Sequence, residues 1–163
     1  MSAHPLVPLS PPSEIGPFHI RPASEDDLPA LVRLDTELFP DFAYPYFVLR
    51  QFLDLYQDRL LVLDDGSSLH GYALSALSAD GRTSWILGLG VAERLRGRGL
   101  ARRLMQETLR RLPADGVHEV WLTVEPANTA AITLYHSLGF TRQGARKDYF
   151  GPGHDRLLLA LRH

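Results

Sequence analysis

The sequence predicts a mixed α/β domain, a sheet covered by helices. Two observations predict this class. Short apolar segments bounded by turn residues alternate with segments in which apolar residues recur three or four positions apart. The order of these segments is β-α-α-β-β-β-α-β-α-β-β, with no internal repeat and no interior linker. A length of 163 residues suits one such domain with a buried core.

The first half begins with a strand and two helices. Residues 18–23 form the first predicted strand. Ser24 is a candidate N-cap followed by three acidic residues, which the helix dipole favours in a first turn. Apolar residues then recur at helical spacing over residues 28–38, with Asp35 in the same stripe. Two prolines interrupt the pattern, and a second helix is predicted over residues 46–56.

Three strands are predicted next, because the turn sequences "DDGSS" and "ADGR" separate three apolar segments. They cover residues 59–63, 69–77 and 84–91. The last of them, "SWILGLGV", is almost wholly apolar, which indicates a central strand.

The second half continues with a helix whose apolar stripe extends from Leu100 to Leu112. A strand is predicted over residues 117–124 and a helix over 128–138, which Gly139 ends at its C′ position. The chain finishes with two predicted strands, "ARKDYF" and "RLLLALR", around the turn "GPGHD".

The composition places the chain among ordinary globular proteins, at 45% hydrophobic and 22% charged residues. There is no cysteine, which excludes disulfides, thiolate metal ligands and a cysteine nucleophile. The histidines lack metal-ligand spacing, so no metal is expected. Residues 1–17 are proline-rich and unlike a signal peptide, so we expect a flexible arm, a single domain over 18–163 and a cytoplasmic location.

Charge is divided unevenly along the chain. Residues 1–80 contain 12 acidic and 4 basic residues, whereas residues 81–163 contain 7 acidic and 13 basic ones. Such asymmetry indicates either two partners of opposite sign or two solvated surfaces.

A glycine-rich turn between the fourth strand and the third helix is rich in arginine. Five arginines fall within residues 94–103. The first four N–H groups of a helix have no intrahelical partner and suit a phosphate, and Gly97 and Gly99 allow close backbone approach. The pattern lacks the Gly-Lys-Ser/Thr of a Walker A loop, and Arg102 stands at the third glycine position of the dinucleotide fingerprint.

The spacing in this turn resembles a known acetyl-CoA-binding signature. Val91, four residues and then Arg96-x-x-Gly99-x-Ala101 are similar to the Q/R-x-x-G-x-G/A motif of the GNAT N-acetyltransferases. About thirty residues later, "NTAAITLYHSLGF" resembles that family's N-x-x-A-x-x-L-Y-x-x-x-G-F. The element order also matches the GNAT fold, and the resemblance covers about residue 18 to the end.

This resemblance implies the α/β GNAT fold, a mixed, mostly antiparallel sheet flanked by helices, in which strands 4 and 5 are splayed to admit acetyl-CoA. The strand before the turn would pair with the pantetheine amides like an added strand, and the turn backbone would hold the pyrophosphate. Tyr135 stands where the family places a general acid near the thioester sulfur. Packing within its helix is the alternative reading of Tyr135. The expected cofactor-binding residues are Leu89, Gly90, Val91, Arg96, Gly97, Arg98, Gly99, Leu100, Ala101, Arg102 and Asn128.

The acceptor side resembles the N-terminal protein acetyltransferases in "LFPDFAYP" and "DYFGPGHDRLLLAL". The first segment is one residue longer than that group's usual spacing. Where members of the group have a tyrosine on strand 4 and a histidine or glutamate on strand 5, this chain has Trp85 and Thr123. Neither side chain can act as a base. Glu125, two residues on, faces the same way as Thr123 and would either act through water or be a surface carboxylate.

Three function classes remain at this point. The first is an acetyl-CoA-dependent N-acetyltransferase acting on a primary amine, either a small molecule or a peptide N-terminus. The acidic first half favours a cationic acceptor, and a longer acyl group and a homodimer both stay open. The second is a non-catalytic domain that binds acyl-CoA or a partner protein. Nucleic-acid binding is disfavoured because the chain is mildly acidic and has one lysine, and no membrane partner is expected.

Overall fold

A computed structural model describes residues 17–112 and 116–162. Seven strands form one sheet in the order β1-β2-β3-β4-β5-β7-β6. The predicted order of strands and helices is confirmed. The proline-rich arm expected over residues 1–17 lies outside the described residues, apart from Pro17.

Within residues 17–112 and 116–162 the chain has seven strands and four helices. No helix in this part of the chain is long and apolar enough to cross a membrane. Three short 3₁₀ turns join the longer elements. The strands and helices in chain order are β1 (His19–Pro22), α1 (Leu28–Leu38), α2 (Tyr46–Tyr56), β2 (Leu60–Asp64), β3 (Leu69–Leu77), β4 (Thr83–Val91), α3 (Leu100–Arg111), β5 (Glu119–Val124), α4 (Thr129–Ser137), β6 (Thr141–Arg146) and β7 (Arg156–Arg162).

Helices cover both faces of the sheet. Several strands accordingly have apolar residues at consecutive positions, which point to opposite faces. In β2, Val62 packs with the buried leucines of α1 and α2, whereas Leu61 and Leu63 pack with those of α3. Side chains on a strand alternate between the two faces, so α1 and α2 lie on one face and α3 on the other. α4 joins α3 over β5 and β7. We refer to the two sides as the α1/α2 face and the α3/α4 face.

Among the strands that the structure describes, β4 and β5 are the only parallel neighbours. They pair only at Thr83–Glu119, Ser84–Val120 and Trp85–Trp121, and then separate. β4 continues along β3 to Val91, while β5 continues along β7 to Val124. The sheet therefore opens in its middle, as the splay of strands 4 and 5 predicts.

The sixth strand differs from the prediction. The segment "ARKDYF" was expected to be extended, but β6 covers Thr141–Arg146. The residues after it turn, because Asp148 adopts a positive φ of 55° and its N–H donates to the Asp155 carboxylate at 2.9 Å. The Asp148 carboxylate in turn accepts from Gly153 N–H at 2.8 Å. Two aspartates that close the β6–β7 turn thus end the strand early.

Candidate active site

The open edge of β4 is the first component of the site. From Ile86 to Val91 this strand has no partner on its β5 side among the described residues. On its other side a β-bulge at Leu87 interrupts the pairing with β3, since Ile86 faces Ser75 and Gly88 faces Leu74. Backbone N–H and C=O groups are therefore available along this edge.

Gly90 of β4 lies against the end of α1, where a Cβ would crowd two side chains. A Cβ at this position would lie 2.6 Å from Leu38 Cδ1 and 3.2 Å from Phe39 Cζ. The end of α1 therefore approaches β4 directly beside the expected pantetheine strand, Leu89, Gly90 and Val91. Leu89 and Gly90 are half-buried, and Val91 is buried against α3.

The turn before α3 presents unpaired N–H groups. Gly97 and Gly99 have φ values of 82° and 75°, in the left-handed region that glycine adopts without strain. Gly99 is the N-cap, and its carbonyl accepts from Arg103 N–H at 3.1 Å. The preceding N–H groups, up to Arg102, have no carbonyl one turn back. This end of α3 is therefore suited to an anion.

The five arginines around this turn are not equivalent. Arg94 donates to His70 Nδ1 at 2.8 Å, Arg102 donates to the Ser137 hydroxyl of α4, and Arg103 donates to the Phe18 carbonyl at 3.4 Å. These three brace the turn and α3 against neighbouring segments. The other two, Arg96 and Arg98, are exposed and make no hydrogen bond or ion pair with any residue that the structure describes.

An open pocket lies between this turn and the end of α1. Its volume is about 490 Å³. The pocket brings a carboxylate of α1 close to the arginine-rich turn, so both signs of charge meet there. Its lining consists of Glu37, Leu38, Ala92, Glu93, Arg94 and Arg96.

Tyr135 lies on α4 and is 8% exposed. Its ring packs on Phe140 with 5.8 Å between centroids, in the same buried cluster as Ile86 of β4 and Val124 of β5. These two residues flank the opening of the sheet, so Tyr135 is close to it on the α3/α4 face. Burial raises the pKa of the Tyr135 hydroxyl to about 12. That hydroxyl makes no hydrogen bond with the described residues, so it is available as a donor.

Asn128 has a structural role at the start of the same helix. Its Oδ1 accepts a hydrogen bond from Ala131 N–H at 3.2 Å, which caps α4. The side chain is exposed, and its amide NH₂ makes no hydrogen bond within the described part of the chain. The donor expected to bind the pantetheine arm is therefore still available.

The α1/α2 face at the opening is lined by the side chains that replace the family's usual bases. Trp85 and Trp121 stack at the closed end of the splay, with 5.8 Å between ring centroids. Thr123 follows on the same face of β5, and Glu125 comes directly after Val124, the last residue of the strand. Glu125 is exposed and pairs with Arg156 at 3.5 Å, so it is a surface carboxylate next to the opening.

A buried network behind β4 was not predicted from the sequence. Asp35 is fully buried and accepts hydrogen bonds from the Tyr72 hydroxyl at 2.5 Å and from Tyr44 N–H at 2.7 Å. The Tyr44 hydroxyl donates to the carbonyl of Leu87 in the bulge at 3.1 Å. Asp35 thus connects α1 and the loop after it to β4. In the sequence, Asp35 is a lone carboxylate within the apolar stripe of α1, and that signal could have indicated a buried network.

The environment of Asp35 changes its ionisation. Burial raises the pKa of its carboxyl group, and the two donated hydrogen bonds partly oppose that effect. The same burial and the neighbouring carboxylate raise the pKa of the Tyr72 hydroxyl. Both groups are therefore less easily ionised than in water.

Comparison with known proteins identifies the family. The model of the acetyltransferase (GNAT) family matches residues 28–140, which is most of the chain. The chain therefore belongs to this family and is an acetyltransferase, as the two motifs predict.

Individual relatives agree with this assignment. The chain is 31% identical over 143 residues to the [ribosomal protein bS18]-alanine N-acetyltransferase of Salmonella typhimurium, covering 85% of this chain and 93% of that protein. It is 26% identical over 154 residues to the N-alpha-acetyltransferase of Saccharolobus solfataricus, covering 88% and 92%. Among solved structures, Arabidopsis thaliana Naa50 in complex with the bisubstrate analogue CoA-Ac-MVNAL has the same fold. Its TM-score is 0.79 at 20% identity, with 90% of this chain and 99% of that chain covered.

Proposed function

We propose that the protein transfers an acetyl group from acetyl-CoA to the α-amine of a peptide or protein N-terminus. One observation carries the acetyl-CoA part of this proposal. β4 and β5 separate after Trp85 and Trp121, and the open edge of β4 leads to the N-terminus of α3. A thioester at the opening and a pyrophosphate at α3 would then lie along one continuous path.

The residues along that path suit coenzyme A. Leu89, Gly90 and Val91 would pair with the pantetheine amides, and Asn128 would donate to the same arm from its NH₂. The amides from Gly97 to Arg102 would hold the pyrophosphate, with Arg96 and Arg98 as charge-assisted donors. The residues that complete this turn are Leu100 and Ala101.

Tyr135 is the group that we assign to the leaving thiolate. The amine nitrogen attacks the thioester carbonyl, the C–N bond forms, and the C–S bond breaks with its electron pair on sulfur. The Tyr135 hydroxyl donates its proton to that sulfur and regains a proton from water when the products leave. With its pKa raised to about 12, the hydroxyl remains protonated throughout the neutral range.

The proton of the amine needs a different acceptor. Trp85 and Thr123 have no basic group, whereas the exposed carboxylate of Glu125 lies two residues from Thr123, directly after the last residue of β5. We assign the removal of this proton to Glu125 acting through water. The acceptor then enters from the α1/α2 face, opposite Tyr135.

The choice of an α-amine rests on the two curated relatives, which are named for acetylation of an α-amine and of a ribosomal protein's alanine. A thiol-release assay with acetyl-CoA tests it. The acceptor panel contains peptides with free N-termini, the same peptides blocked at the N-terminus but containing lysine, and simple cationic amines. Release with the free N-termini and not with the blocked peptides is expected. Release only with simple amines would assign the enzyme to small molecules, and binding of acetyl-CoA without release in any case would contradict the proposal.

A further inference from the structure

Arg156 is a buried cation at the open end of the sheet. It is the first residue of β7 and is only 6% exposed, although arginine is rarely buried unless it is paired. In the pairing of β5 with β7, Thr123 faces Leu158. Because side chains alternate along a strand, Arg156 lies on the same face as Leu158 and Thr123. That face is the α1/α2 face, where the acceptor would enter.

Two phenylalanines from different loops enclose the guanidinium group. Its Cζ is 5.0 Å from the ring centroid of Phe42 and 4.6 Å from that of Phe150. Phe42 belongs to the loop between α1 and α2, and Phe150 to the turn between β6 and β7. The cation therefore holds both loops at the end of the splay, through contacts with the aromatic faces.

Most of the N–H donors of Arg156 are unused. Nη1 donates to the Asp155 carbonyl at 3.0 Å and lies 3.5 Å from Glu125 Oε1. Nε and Nη2 have no acceptor anywhere in residues 17–112 and 116–162. These two nitrogens are not among the described buried atoms that lack a partner, so they reach solvent. A guanidinium group always carries its charge and offers five N–H groups in a fixed fork, so these open donors suit an oxygen that a ligand supplies.

We propose that Arg156 selects acceptors that carry a carbonyl or carboxylate oxygen next to the reacting amine, and that it does so by donating to that oxygen. The inference rests on the proposed function. Glu125, held beside the same guanidinium, receives the ammonium group of the acceptor before the proton is lost. In an α-amino acyl group the nitrogen and the carbonyl carbon are bonded to the same carbon, so adjacent anionic and cationic side chains match it. A simple amine offers Glu125 a partner but leaves Arg156 without one.

The experiment compares acceptors that differ only in that oxygen. The panel contains a short peptide, the free amino acid with the same side chain, and the corresponding amine without a carbonyl group. Wild-type protein, Arg156→Gln and Arg156→Lys are measured, with Arg162→Gln as the control. Arg162 is on the same strand and pairs with Glu119 at 2.9 Å, away from the opening. The readouts are kcat/KM for each acceptor and, independently of turnover, calorimetric binding of each acceptor to the CoA-loaded protein.

We expect Arg156→Gln to lower kcat/KM and affinity for the peptide by roughly 10- to 100-fold, the range for a hydrogen bond from a charged group. The simple amine should lose clearly less turnover and affinity than the peptide, because it has no oxygen for Arg156, and the KM for acetyl-CoA should change little. If the free amino acid loses more than the peptide does, the natural oxygen is a carboxylate. If it loses less, the natural oxygen is a peptide carbonyl.

Arg156→Lys keeps the charge between the rings but loses the forked donor, so an intermediate loss is expected. It also decides the question if Arg156→Gln does not fold. An equal loss for all acceptors, or no loss for the peptide, would overturn the inference. If the wild type transfers no acetyl group yet binds the peptide in an Arg156-dependent way, the proposed function fails and the assignment of Arg156 stands.

Discussion

Asp35 is a buried carboxylate whose ionisation is coupled to folding. Its pKa is raised by burial, so the folded state binds the proton more tightly than the unfolded state, where the pKa is about 3.9. A raised pKa contributes stability that is fully present below the unfolded value and is lost as the pH rises through the folded value. Asp35 therefore stabilises the protein most in acid.

The variant Asp35→Asn tests this directly. Its amide oxygen can still accept from Tyr44 N–H, and its NH₂ can donate to the Tyr72 oxygen, while no charge is ever buried. We expect the stability of the wild type relative to Asp35→Asn to decrease as the pH rises above about 4. Urea denaturation of both proteins at several pH values measures this difference. A difference that stays constant with pH would show that Asp35 has the same ionisation in both states.

Tyr135 has the clearest catalytic assignment at the residue scale. Tyr135→Phe keeps the ring and its contact with Phe140 and removes only the hydroxyl. Since that group would act on the departing sulfur, its loss should lower the single-turnover rate by roughly 10²- to 10⁴-fold. The KM for acetyl-CoA should change little, because the binding contacts lie elsewhere. A folded variant with the wild-type single-turnover rate would reduce Tyr135 to a packing residue.

The turn before α3 is the element to which we assign the pyrophosphate of coenzyme A. Gly99 has a φ of 75° and open space beside it, so alanine and glutamate there cause the same backbone strain, about 1–2 kcal/mol. Only glutamate adds bulk and negative charge at the anion site. We therefore expect Gly99→Glu to bind acetyl-CoA much more weakly than Gly99→Ala in calorimetric titrations. Equal affinities of the two folded variants would show that the pyrophosphate does not bind at this turn.

The two free arginines of this element should have a measurable electrostatic effect. Arg96→Gln and Arg98→Gln should each weaken acetyl-CoA binding roughly tenfold at low salt. They should also make the affinity less dependent on salt concentration, because screening acts on exposed charges. Arg110→Gln, at the far end of α3 in a pair with Glu107 at 2.6 Å, is the matched control. Losses as large in the control would mean that the general charge of α3, and not the turn, attracts the ligand.

Elements with strong local signals could be predicted from the sequence, and those closed by distant contacts could not. The helix predicted over residues 46–56 has those bounds in the structure, because a proline precedes it and its apolar stripe is continuous. β6 was placed too late, because the contact between Asp148 and Asp155 forms only when the two strands meet. A local sequence pattern indicates which segment is a strand or helix, but it does not indicate the distant residue whose contact ends that segment.

The difference between local signals and distant contacts also applies to the candidate site. The turn before α3 and Tyr135 could be proposed from motifs, since each motif is contained in one continuous segment. The cluster of Phe42, Phe150 and Arg156 comes from three separate segments, and no single one of them indicates it. Asp35 was visible only as one polar residue in an apolar stripe. Only the folded chain brings Phe42, Phe150 and Arg156 together, and no local sequence pattern indicates their contact.

The division of charge along the chain also has a place in the whole molecule. The basic second half supplies the arginine-rich turn, while the acidic first half supplies α1 and α2 and the loop between them. The pocket between α1 and the turn contains Glu37 beside Arg94 and Arg96. The two signs therefore meet beside the turn to which we assign the pyrophosphate, and not at Glu125 and Arg156, to which we assign the acceptor.

The central claim is that acetyl-CoA lies in the opening between β4 and β5, and a crystal structure of the complex with acetyl-CoA tests it most directly. We predict pantetheine along β4 from Leu89 to Val91 and pyrophosphate on the amides of Gly97 to Arg102. The thioester sulfur should then lie within hydrogen-bonding distance of the Tyr135 hydroxyl. Density for the coenzyme elsewhere on the protein, with β4 and β5 enclosing no ligand, would contradict the account.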